Sequence, residues 1–228
     1  MVVVWSATKG LAGMTLAVAH SRGWLDYDER VSAYWPEFAQ NGKAAITVRQ
    51  LLAHQAGLFA FDEPVDKNVV GDPDRLALVL ARQTPAWPPG ARQSYHALTL
   101  GCYEGERTAR AIARAYGELA TGGRELGLRR ETLDALSAPP IPSSNGFYDD
   151  GLMGDVRFSL GFMKPGPVWR FGSERSFGSP GSGGSLGFAD PEAGIGYAYV
   201  TSQMGTTLTG DPRDLALRNA VYSITATR

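Results

Sequence analysis

From about residue 156 the sequence leaves helical spacing, and this change of period is the strongest constraint on the fold. Val156-Arg-Phe-Ser-Leu-Gly-Phe-Met163 and Ser185-Leu-Gly-Phe-Ala189 alternate with the two-residue period of strands. Asp190-Pro-Glu-Ala-Gly194 is a strong turn, and 195–200 returns as a further strand. Ahead of this stretch the signals are helical, so the expected class is α/β of the α+β type, an antiparallel sheet flanked by helices with a helical region against it.

Leu11, Met14, Leu16 and Val18 run toward Gly23, a helix stop, which places Ser6 at a helix start. Helix is also expected over 30–38 until Pro36 breaks it, over 47–53 as a short capped segment, and over 74–82. Pro85-Ala-Trp-Pro-Pro-Gly90 cannot continue a helix and delivers the chain to Ser94-Tyr95-His96. Helix follows over 108–120, ended by Thr121-Gly-Gly, and again over 131–136. Asp211 is the expected N-cap, with Pro212 at the first position, of a closing helix over 211–224.

Other classes of function find little support. A formal charge of −1 provides no basic field for nucleic acid or anionic lipid. Cys102, the one cysteine, sits among apolar neighbours as a buried thiol, and His20, His54 and His96 lack metal-seating spacing, so neither metal nor cofactor is expected. The apolar Met-Val-Val-Val-Trp start has no basic leader and is far shorter than a signal core or a membrane span. A cytoplasmic protein without membrane partners is expected.

The pattern that carries chemistry is Ser6-Ala7-Thr8-Lys9. A serine hydroxyl is a poor nucleophile without a base, and one helical turn brings a residue three positions on within reach. The same helix start aims backbone N–H groups at Ser6, favouring an oxyanion. The tetrapeptide alone is weak evidence, since an N-capping serine beside a solvated lysine has the same letters.

Four ordered segments add to it. Trp5-Ser-Ala-Thr-Lys-Gly10, Ile46-Thr-Val-Arg-Gln-Leu-Leu-Ala-His-Gln-Ala-Gly-Leu58, Tyr95-His-Ala97 and Phe177-Gly-Ser-Pro-Gly-Ser-Gly-Gly-Ser-Leu-Gly-Phe-Ala-Asp-Pro191 resemble successive landmarks of the serine hydrolases related to class C β-lactamases. That group includes family VIII carboxylesterases, D-alanyl-D-amino-acid peptidases and penicillin-binding proteins. The resemblance implies the β-lactamase/transpeptidase-like fold, with Ser6 as acylated nucleophile, Lys9 as its proton acceptor and Tyr95 as the shuttle to the leaving group. It further implies an oxyanion hole from the N–H groups of Ser6 and Ser182, and a substrate-binding strand at Ser179, Pro180 and Gly181. His96 is expected to line the pocket, and His54 to be a structural turn histidine.

Two departures shape the expectation. Ser179-Pro180-Gly181 stands where relatives present a lysine, histidine or tryptophan, a small residue and glycine. Serine cannot replace a cation that binds a carboxylate, which favours simple esters over β-lactams or peptides. Relatives also carry strands ahead of the nucleophile's helix and a longer excursion after the tyrosine. A sheet without those strands leaves unpaired backbone groups, to be met by another copy of the chain, a more open pocket or a degraded relative.

The expected organisation is therefore a single catalytic domain over 1–228, with a helical region near 23–124 and a sheet-plus-helix region from 1–22 and 125–228. It would cleave short-chain esters, a small-molecule partner. The alternatives are β-lactamase or D-amino-acid peptidase activity, and a binding protein that keeps the fold without turnover. Gly183-Gly-Ser-Leu-Gly187 matches a nucleophile elbow, but that needs a helix after Ser185 and a later histidine, and the sequence offers neither.

Overall fold

The computed structural model describes residues 2–100, 106–107, 109–207 and 209–225; Cys102 and the expected helix start at Thr108 lie outside them. Strand β1 (Val2–Val3) leads into α1 (Ala7–Ser21). Of the expected apolar set Leu11, Met14, Leu16 and Val18 only Met14 lies on the buried face of α1, with Ala7, Gly10, Gly13 and Ala17. Small side chains there bring the helix backbone almost onto the sheet: a Cβ added at Gly13 would meet the Phe162 ring at 2.9 Å. Leu11 and Leu16 pack half-buried at its flanks.

The helical region follows with α2 (Val31–Tyr34), which gives way at Pro36 to a 3-10 helix at Pro36–Ala39. α3 (Val48–Leu52) carries the expected cap, a full capping box between Thr47 and Gln50. α4 (Lys67–Val70) and α5 (Pro73–Arg82) open on Asp66 and Asp72, whose carboxylates accept the first free N–H groups. Lys43, fully buried, donates to the Ala81 and Gln83 carbonyls at the C-terminal end of α5, where the helix dipole favours a cation.

β2 (Glu106–Arg107) pairs antiparallel with β1 and precedes α6 (Ala109–Ala120) and α7 (Arg130–Ser137). β3 (Tyr148–Asp149) and β4 (Gly154–Asp155) form a two-stranded ribbon. The main sheet is antiparallel in chain order, from β5 (Arg157–Ser159) through β6 (Phe162–Lys164), β7 (Phe177–Gly181) and β8 (Ser185–Asp190) to β9 (Ile195–Tyr199). α8 (Pro212–Thr225) closes the chain.

Two expectations are corrected. The alternating run 156–163 is a hairpin, turning at Leu160 and Gly161 with φ of 52° and 84°. A two-residue loop with both φ positive is the turn that matches strand twist, and Leu160, unusual there, is held by complete burial in the core. The helical region also stops short of residue 124. α6 lies across β9 and β8, and a Cβ on Gly196 would meet the Gly117 nitrogen at 2.0 Å, so α6 belongs to the sheet layer.

The sheet separates two apolar cores. On one face Ala7, Met14 and Ala17 of α1, Ile112, Tyr116 and Leu119 of α6 and Leu136 of α7 cover Phe162, Phe177 and Ala189, and this core runs on into the helical region through Ile46 and Leu52. On the other, Phe158, Met163, Leu186, Phe188 and Tyr197 meet Val221 and Tyr222 of α8. Among the described residues β9 has β8 as its only strand partner, and β1 pairs with β2 rather than with the sheet. No helix among them is long and apolar enough to cross a membrane.

Candidate active site

Ser6 stands at the junction of β1 and α1, and the chain reaches it through Trp5 in the left-handed region at φ 48°. That conformation is costly for a bulky residue and persists because its surroundings fix it. Val4 is fully buried and its carbonyl accepts from Ala7 N at 3.1 Å. β7 passes so close that a Cβ on Gly181 would lie 2.1 Å from that carbonyl, which only glycine avoids. The Ser179 hydroxyl then donates to the Ser6 carbonyl at 2.8 Å, fastening the strand to the first turn of the helix.

The Ser6 side chain makes no capping bond, which leaves its hydroxyl for other partners. Lys9 Nζ donates to Ser6 Oγ at 3.4 Å and to the Ala97 carbonyl at 2.8 Å, and sits 5.2 Å from the centroid of the Tyr95 ring. The Tyr95 phenol interacts with the Ser6 side chain and completes the group. Burial raises the Tyr95 pKa, the interaction with Ser6 partly offsets this, and the nearby Asp149 charge raises it again.

Tyr95 is placed by a residue with no distinguishing signal of its own in the sequence. Asp149, fully buried at the end of β3, accepts from Tyr95 N at 3.1 Å, Gly151 N at 3.0 Å and Leu152 N at 2.9 Å through Oδ1, and from Gln93 Nε2 at 3.1 Å through Oδ2. The Tyr95 ring stacks on Phe158, 5.6 Å between centroids at 8°, and meets the His54 edge at 5.0 Å. A carboxylate in the run Tyr148-Asp-Asp150 reads as a turn residue in sequence; only the fold brings it beneath Tyr95.

His96 does not line the pocket as expected. It is buried behind Tyr95, where its Nε2 accepts from Leu58 N at 2.9 Å and its Nδ1 lies 3.0 Å from His54 Nδ1. An accepting Nε2 puts the His96 proton on Nδ1, which donates to His54 Nδ1, so His54 carries its own proton on Nε2. His54, at φ 60°, is the member of the pair that borders the chamber. Its pKa lies well below the ordinary value through burial, then His96, then Lys9, and burial takes His96 down to about 3. Both rings are neutral at physiological pH.

Ser6, Lys9, Tyr95, Ser179, Pro180, Gly181 and Ser182 all border one chamber of about 50 Å³. Among the described residues neither the Ser6 nor the Ser182 N–H is donated to a backbone carbonyl. Two free donors beside a serine hydroxyl with an amine and a phenol within reach form an arrangement suited to acyl transfer. Ser185, the serine of the apparent nucleophile elbow, is instead a buried strand residue registered with Gly181, and strand, not helix, follows it.

Known proteins share this architecture. A family profile described as Beta-lactamase matches residues 1–120. A penicillin-binding protein homolog from Caulobacter crescentus superposes with a TM-score of 0.88 at 28% identity, covering 97% of this chain and 82% of that one. A family VIII carboxylesterase gives 0.87 at 26% identity, covering 97% and 83%. Esterase/beta-lactamase LipL of Mycobacterium tuberculosis (strain ATCC 25618 / H37Rv) is 24% identical over 306 residues, covering 89% of this chain and 69% of that protein.

Proposed function

Because the chain belongs to the beta-lactamase family, whose fold it carries, we propose that it hydrolyses short-chain carboxylic esters through an acyl-enzyme on Ser6. The observation that supports this most is the convergence of Ser6 Oγ, Lys9 Nζ and the Tyr95 phenol at one chamber of about 50 Å³. At water's share of about 30 Å³ per non-hydrogen atom, that space suits an acyl group reaching roughly two such atoms beyond the carbonyl carbon.

In this mechanism Lys9 takes the proton from Ser6 Oγ as the oxygen attacks the ester carbonyl. The N–H groups of Ser6 and Ser182 hold the oxyanion of the tetrahedral intermediate. As it collapses, the C–O bond to the alcohol breaks and Tyr95 delivers a proton to the departing oxygen, drawing on Lys9 for its replacement. Water then enters, gives a proton to the Tyr95–Lys9 pair, attacks the acyl carbon and releases the acid with the proton returned to Ser6. Among the described residues Lys9 is the one lysine or arginine bordering the chamber, so a substrate carboxylate finds no second cation among them. This favours neutral esters over β-lactams and peptides.

The test is hydrolysis of 4-nitrophenyl acetate and butyrate by the parent and by Ser6→Ala, with a fluorophosphonate to label the nucleophile and a chromogenic cephalosporin for comparison. The parent is expected to cleave the acetate faster than the butyrate and to label at Ser6. Lys9→Met and Tyr95→Phe should each lose about 10²–10⁴-fold. Activity that persists in Ser6→Ala overturns the nucleophile assignment, and an inactive parent turns the reading to a binding protein.

A further inference from the structure

On the far face of the sheet from α1 lies a second cavity, of about 310 Å³. Its floor is Met163 of β6, Pro180 of β7 and Leu186 of β8, and its roof is Leu215 of α8 with Trp169 and Phe171 of the loop before β7. The cavity adjoins the Ser6 chamber: Met163, Trp169 and Pro180 border both. Their shared border lies where β6 and β7 stop pairing. β7 pairs with β8 over five residues but with β6 only at Met163 and Gly178, so the two strands part beside Pro180.

The charged groups at the cavity's α8 end are spent on one another. Arg218 Nη2 is 2.9 Å from Asp214, which also accepts from the Tyr197 hydroxyl at 2.8 Å, and Arg213 holds Asp211 at 2.6 Å. Among the described residues these pairings leave Arg170, at the solvent-exposed mouth beside Trp169, as the lining cation without an ion pair, while the inner wall of Met163, Pro180, Leu186 and Leu215 is apolar. Arg218 Nε remains a buried donor with no acceptor among the described residues, which an oxygen on an otherwise apolar group would satisfy.

We propose that this cavity binds the alcohol portion of the ester, an uncharged alkyl or aryl group of up to about ten non-hydrogen atoms at roughly 30 Å³ each. The assignment rests on the preceding reading, which gives the 50 Å³ chamber to a short acyl group and so leaves the alcohol as the larger half of the substrate. The enzyme is then selective for small acids esterified to bulky apolar alcohols.

The experiment compares ethyl, butyl and hexyl acetate with ethyl butyrate and ethyl hexanoate, in the parent and in Val168→Trp and Leu215→Trp. Both positions border the cavity, are partly solvent-exposed and lie outside the Ser6 chamber, so a larger side chain can be accommodated without unfolding. From ethyl to hexyl acetate kcat/KM should rise at least about tenfold, within the roughly fourfold per methylene that apolar burial allows. Both tryptophan variants should erase that rise. An unchanged hexyl-to-ethyl ratio in both overturns the proposal, as does a gain confined to the longer acids.

Calorimetric titration with ethyl phenyl ether, which ester hydrolysis does not cleave, separates the two readings. Binding to the parent that Val168→Trp abolishes supports the cavity even if no ester is turned over, in which case only the hydrolytic reading fails. Equal binding by parent and both variants, or none by the parent, overturns the cavity whatever the esterase result.

Discussion

Replacing Asp149 tests how Tyr95 is held. Its carboxylate is fully buried and Oδ1 alone accepts three backbone N–H groups, those of Tyr95, Gly151 and Leu152. Asp149→Ala strands all three donors, each worth about 1–3 kcal/mol when buried without a partner. Water admitted to the vacated space recovers part of this, so a loss of about 4 kcal/mol is expected, a large fraction of the usual stability of a domain of about 5–15 kcal/mol. Asp149→Asn keeps one carbonyl oxygen for the three N–H groups but removes the charge that strengthens them. It also turns an amide N–H₂ toward Gln93 Nε2. Gln93 can answer by presenting Oε1, which is buried without a partner in the parent, though its bond to the Val156 carbonyl is then lost. The asparagine variant should therefore cost only about 1–2 kcal/mol. Urea denaturation gives both values through the midpoint at constant slope. In folded Asp149→Asn the loosened Tyr95 backbone should lower kcat/KM by about 10–100-fold with less change in KM, since small misplacements of a reacting group are expensive. A loss below about 1 kcal/mol in Asp149→Ala, against the 1–3 kcal/mol of each stranded donor, would refute the account.

Gly10→Ala places a Cβ 2.0 Å from the Tyr116 hydroxyl and 3.0 Å from Ser179 Cβ, so α1 must move off β7. A thermal melt should show a loss of about 1–3 kcal/mol, with reduced turnover as the Ser179 bond to the Ser6 carbonyl stretches. Lys164, buried with its amine on the Leu136 carbonyl and over the Phe177 ring, has its pKa lowered to about 7 by burial and then by Arg175. The unfolded chain keeps that proton to about pH 10.4. Between about pH 7 and 10 the unfolded state thus binds more protons, and stability should rise with pH across that window. Lys164→Met should raise the urea midpoint at pH 7 and flatten this rise; an unaltered slope would show that Lys164 is not its source.

The sequence alone determined the local elements whose signals are local. Thr47 and Gln50 cap α3 wherever that helix sits, Pro36 ends α2 by its own ring, and the change to two-residue alternation announces the sheet. The spacing of Ser6 and Lys9 on one helical turn is likewise a property of α1 itself. Apolar periodicity identifies Met14 but not the rest of the buried face of α1, because the sheet approaches so closely that small residues, not leucines, must face it. The alternation over 156–163 likewise does not show the turn at Leu160 and Gly161, since burial of Leu160 offsets a backbone conformation that its residue type does not advertise.

Whatever depends on contacts distant in the chain was decided by the tertiary structure. His54 and His96 share one neutral hydrogen-bonded pair, with His96 behind the chamber wall, because residues 42 positions apart meet there. Asp149 becomes the anchor of Tyr95 only when β3 passes beneath it. The two cavities come to share Met163, Trp169 and Pro180 beside the point where β6 and β7 separate after a single shared pair. Side-chain identity and local spacing are written in sequence, whereas burial and the meeting of remote groups arise only when the sheet and its helices pack, since an apolar face has no meaning until something covers it.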